Sequence, residues 1–257
     1  MPELFGTKAQ TITEQETEVR TREYRKTINE ELPIMIDILF KLTYFVEPLD
    51  TESINFKSYC YDHYEQIPYT FSCLYNIFVK GYYNEVMVLV RHLYEVLAKL
   101  RYFKIHENLL KAYLQGAKKF NFEDGKVERV TEKLFFSLDS DDTFYKKDYS
   151  YLSRLAHGKD LFTVFRTEKP EYKKFMLGNH FDAEFVDYFL MQIIALLYGY
   201  LNCYVLFFPQ NEMSRDRKFQ HLYTKTIEGM EDIIKWHKQN NPESREWYLS
   251  IEKYIDR

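Results

Sequence analysis

Five residues in two stretches have the types and spacing to do chemistry: Arg91 and Glu95 in VLVRHLYEVLAKLRYF, and Ser153, Arg154 and His157 in YSYLSRLAHG. Arg91 and Glu95 are four apart, so on a helix they stack one turn above the other. Ser153 and His157 repeat that spacing, and Arg154 lies slightly round from them. Gly158 is a helix stop, which places His157 at a helix C-terminus, where the dipole favours the imidazolium. An imidazole with a pKa near neutrality moves protons, and a guanidinium fork matches phosphate oxygens. Together they suit proton transfer and charge stabilisation at a phosphate ester. Alternatively, Arg91 and Glu95 with Ser153 and His157 form a buried polar network that fixes helix register.

The helix carrying the first pair organises the chain. In Gly81–Phe103, Val86, Val90, Leu93, Leu97 and Leu100 recur at helical spacing. Leu89, Val96 and Phe103 widen that face on one side, and Met87, Tyr94 and Ala98 on the other. Only a narrow strip of Asn84, Arg91, His92, Glu95 and Lys99 remains for water. Such an arc is about twice what a surface helix needs, so this helix belongs near the middle of a bundle.

Composition agrees. The 257 residues include only 8 Gly and 7 Pro, too few for the turns of an all-β fold, and 21 Phe and 23 Tyr, which make an aromatic core. A net charge of −4 excludes a general polycation, so contact with nucleic acid needs a local patch. Three widely separated cysteines, with no secretory signal, point to reduced thiols in the cytoplasm. The 21 residues Tyr188–Phe208 carry no charge and reach membrane-spanning length. Gln192, Asn202 and scattered tyrosines favour a buried central helix over a membrane span. Within it Ala195, Gly199 and Cys203 form a stripe of small residues that a second helix can approach.

In order, the chain reads as a loose tail over 1–13 and a charged helix over Glu14–Leu32. Pro33 then opens a helix to about Val46, and Ser53–Lys80 is a helix kinked or split by Pro68. After the central helix come Asn108–Phe120, Lys126–Leu138 and Thr143–His157, with the acidic loop Asp139–Asp142 between the last two. A short extended arm follows near 161–178. Asp182 caps the long apolar helix, and two C-terminal helices pack on the bundle. No repeat or linker divides the chain, so 1–257 is one all-α domain of about eight helices. Cys60 and His63 have a metal-like gap but no second pair, so neither a metal nor a cofactor is expected. Arg215, Arg217 and Lys218 with Phe219, His221 and Tyr223 mix charge with aromatics and offer a further RNA contact or a solvated helix start.

The pairing of VLVRHLYEVLAKLRYF with YSYLSRLAHG resembles a bacterial helical family of unknown function that shares R-x3-E and S-x3-H motifs and is itself similar to the HEPN bundles. The resemblance covers about Tyr64–Phe208. It implies a homodimer in the cytoplasm, and a metal-independent ribonuclease acting as a toxin or antiviral effector, with RNA and a partner or antitoxin protein as ligands. Arg91, Glu95, Ser153 and His157 then occupy the motif positions. The HEPN signature R-x4-6-H has no direct counterpart, since only two residues stand between Arg154 and His157. Arg91 or Arg154 would supply the cation, Glu95 would orient Arg91 or His157, and Ser153 would hydrogen-bond substrate or the histidine. The alternative is a non-catalytic scaffold or sensor that binds a partner protein.

Overall fold

The computed structural model describes residues 7–44, 55–115 and 181–207, with isolated positions between 217 and 239. The described elements are α1 (Thr7–Tyr24), a π-helical turn (Thr27–Glu31), α2 (Leu32–Tyr44), α3 (Phe56–Val79), α4 (Tyr83–Ile105), α5 (Glu107–Leu114) and α6 (Ala183–Phe207). The fold is all-α, and no strand occurs among the described residues. The helices expected at 126–138 and 143–157, the acidic loop and the 161–178 arm lie outside the described residues. Positions 7–13 belong to α1 and not to a loose tail.

α3 and α4 form an antiparallel hairpin. Asn55 caps α3, its Oδ1 accepting from the Ser58 N–H at 3.0 Å. Pro68 sits inside α3, which continues unbroken to Val79. Gly81 makes the turn with φ 79°, a left-handed conformation that costs glycine little. The central helix therefore begins two residues later than the apolar pattern alone suggests.

α4 lies between α3 and α6. Its residues Val86, Val90, Leu93, Leu97 and Leu100 are all buried, as are Met87, Tyr94, Val96, Ala98 and Phe103. Each of the Val, Leu, Met and Phe side chains contributes about 1.5–3 kcal/mol by leaving water. α6 is tied to three neighbours by tyrosine hydroxyls that donate to main-chain carbonyls: Tyr64 to Tyr200 O at 2.7 Å, Tyr200 to Leu93 O at 2.5 Å, and Tyr204 to Leu42 O at 3.3 Å. Each bond adds about 1 kcal/mol net and fixes helix rotation. Asp182 caps α6, its Oδ1 accepting from the Phe185 N–H at 3.1 Å. At Gly199 an added Cβ would stand 2.7 Å from Leu97 Cδ2, so the small-residue stripe does mark a close helix approach. Among the described residues no helix is long and apolar enough to cross a membrane.

The junction of α1 and α2 departs from the expected single helix over Glu14–Leu32. The Leu32 N–H donates to Thr27 O, five residues back, which is the π register. The next donor in that register would be residue 33, but proline has no N–H. The carbonyl left over, that of Ile28, accepts instead from the Tyr75 hydroxyl of α3 at 3.0 Å. Arg22 donates to the same hydroxyl.

Candidate functional site

Arg91 and Glu95 occupy the middle of α4, where buried residues flank them in sequence on nearly every side. Arg91 Nε donates to Glu95 Oε1 at 3.0 Å. The two side chains are 17% and 24% exposed, so the pair is half-buried and still reachable from solvent. Such partial desolvation strengthens a charge-assisted bond beyond that of a surface pair. Ser153, Arg154 and His157 lie outside the described residues, so the structure brings together the α4 pair alone.

The polar strip of α4 is otherwise as its spacing suggests. Asn84 and His92 are exposed, and Lys99 is half-buried. Val88 joins the strip, 50% exposed. Glu95 pairs with the arginine one turn before it, while the Lys99 ammonium lies over the Tyr113 ring of α5 at 6.0 Å. A Glu four residues before a Lys is a favourable helical pair, but Glu95 bonds Arg91 instead.

His63 of α3 belongs to this region, and spacing within one helix does not reveal it. Its ring stands edge-on to Tyr59 at 4.5 Å. Burial, with Lys99 and His92 nearby, pushes its pKa down to about 4, so the imidazole is neutral at pH 7. The signal that could have located it is the hairpin itself, because Lys99 and His92 reach it only across the α3–α4 register.

Cys60, weighed with His63 as a metal pair, is fully buried beside Tyr64 and Cys203. Burial raises its thiol well above the ordinary range and pushes that of Cys203 up to about 12. Neither thiol is an activated nucleophile. Among the described residues no group of three or more His, Cys, Asp or Glu could hold a metal ion. Arg217 and His221 are helical and exposed; the rest of the 215–223 cluster lies outside the described residues except Gln220, which is also exposed.

A second polar centre joins the N-terminal region to α6. Arg25 holds Asp187 with both arms of its guanidinium at 2.9 Å, and Tyr24 donates to the same carboxylate at 3.0 Å. In the core, Tyr94 donates to Oε1 of the fully buried Gln192 at 2.8 Å, while its Nε2 has no hydrogen-bond partner among the described residues. Comparison with protein families, curated proteins and solved structures gave no match to this chain.

Proposed function

We propose that this is an HEPN-like helical protein that cleaves RNA without a metal ion, as a toxin or antiviral effector, working as a cytoplasmic homodimer. The observation that supports the reading is the half-buried Arg91–Glu95 pair at the centre of an otherwise buried helix. A cation held in fixed geometry and still open to solvent is what charge on a phosphorane needs. Glu95 orients Arg91. His157 takes the proton of the ribose 2′-OH and returns one to the leaving oxygen, making a cyclic phosphate and a free 5′-hydroxyl. Arg154 shares the phosphate charge and Ser153 hydrogen-bonds the histidine or the substrate.

The test is RNA cleavage by purified protein in EDTA, comparing wild type with His157→Ala and Arg91→Lys. Cleavage that disappears in His157→Ala and falls about a hundredfold or more in Arg91→Lys supports the assignment. No cleavage by wild type in the presence or absence of its partner overturns it. A second reading, a scaffold for a partner protein, is favoured by the fact that Arg91 and Glu95 bond within one helix, an arrangement complete without substrate.

A further inference from the structure

The α3–α4 hairpin carries basic side chains that the proposed cleavage chemistry does not use. The Tyr59 and Phe103 rings, 5.7 Å apart, fix the register of the hairpin away from its turn. One turn along α3 from Tyr59 is His63, and one turn back along α4 from Phe103 is Lys99, so the two face each other. His92 lies two turns further back on the α4 strip, about 10 Å along the helix. His63 and Lys99 are half-buried and His92 is exposed. Among the described residues none of the three makes an ion pair or a side-chain hydrogen bond; His63 has its edge contact with Tyr59, and Lys99 its cation–π contact with Tyr113.

The ring of Tyr59 touches His63 on its own helix, where Asp62 and Glu65 are exposed, and from α4 Lys99 and His92 act on it, with Tyr113 of α5 under the Lys99 ammonium. The nearest carboxylate on the α4 strip, Glu95, is engaged by Arg91. Among the described residues, His63 and Lys99 therefore face each other with no acceptor bonded to either. We propose that this face is a phosphate-binding subsite, in which Lys99, His63 and His92 take successive phosphates of an RNA strand that passes Arg91. The identity of the strand rests on the proposed function; the preference for phosphate rests on the hairpin. The spread from His92 to Lys99 is too long for one small ion to bridge and suits a chain that carries a charge at every link. An arriving phosphate places a negative charge beside His63 and favours the imidazolium against the burial, and the Lys99 and His92 charges, that keep it neutral, so binding takes up a proton there. Affinity accordingly rises as pH falls through about 5 toward about 4, the interval between the titrations of bound and free His63.

Imidazole NMR of the full chain tests this, with His63 assigned by His63→Gln. The pH titration is recorded alone, with inorganic phosphate, and with a 2′-O-methyl oligouridylate, which cannot undergo transesterification. The expected result is an upward move of the His63 titration by about one unit or more with the oligonucleotide and less with inorganic phosphate. Lys99→Gln should lower the slope of log affinity against log salt by about 0.7 for the single strand. A His63 titration unmoved by either probe overturns the subsite. A response to inorganic phosphate alone overturns the RNA assignment, as does binding whose salt slope Lys99→Gln leaves unchanged. Loss of the nuclease reading, with no cleavage in EDTA, leaves a His63 response intact, whereas active cleavage beside an unmoved His63 sinks the subsite alone.

Discussion

His63 shows how burial and neighbours turn one side chain into a measurable term. Desolvation is the larger cause of its depressed pKa, with Lys99 and then His92 adding to it. In the unfolded chain the imidazole titrates near 6.5, in the folded protein at about 4. Between those values the unfolded state binds more protons, so stability rises with pH across the window. The protein should lose up to about 3 kcal/mol from this group as pH falls from about 7 to 4. Urea unfolding of wild type and His63→Gln at pH 7, 5.5 and 4 checks it. The wild type should fall more steeply than the variant, and parallel losses would assign the acid sensitivity to other groups. Arg91 and Glu95 were legible in the sequence because an i, i+4 pair needs only the helix that carries it. His63 was not, because its electrostatic partners sit on a different helix. The role of His157 depends on how its segment meets α4, which no spacing within either stretch specifies.

The buried faces of α3, α4 and α6 were legible for the same local reason, since apolar residues at a 3.6 period declare which side meets a neighbour. What period alone leaves open is how closely two faces meet, and Gly199 supplies that. Leu97 Cδ2 occupies the space a Cβ would take. Gly199→Val should cost about 1–3 kcal/mol, because a branched side chain drives Leu97 into a full core. Gly199→Ala should fall within about 1 kcal/mol of wild type, since the gain in helix propensity offsets a shift at the end of one flexible side chain. Thermal or urea unfolding of both variants decides this, and a cycle with Leu97→Ala should recover part of the valine penalty. Equal, negligible costs for both would show that α4 and α6 are not closely packed there. The π turn was not legible, because it arises from a conflict between two helices. Pro33 suits the first turn of α2 but withdraws a donor from the turn before it, and only Tyr75 on α3 resolves the carbonyl left behind.

The bundle is held by two kinds of bond, and they divide it. α3, α4 and α6 interlock through apolar side chains and buried tyrosine hydroxyls. Among its described side chains, α1 instead presents buried threonines, Thr17 and Thr21, and is fastened largely by polar ties. Arg22 reaches Tyr75, Glu14 accepts from Tyr82, Arg20 lies over the Phe181 ring at 4.6 Å, and at its end Arg25 grips Asp187. Charge-assisted ties at a half-exposed surface weaken with salt, whereas the apolar interlock does not. The N-terminal helix should therefore open as a separate unit, below the free energy of global unfolding. Asp187→Ala should speed amide exchange across residues 7–24 about tenfold or more while α4 and α6 keep their protection. Raising salt should act on wild type in the same direction, since the screened charges are those the mutation removes. Hydrogen exchange read by mass spectrometry separates the outcomes. If α1, α4 and α6 lose protection together, the polar ties are part of one cooperative core and α1 has no independent opening. If α1 alone responds, the π turn is the hinge, because the main-chain ladder there already lacks the donor that would carry cooperativity from α2 back into α1.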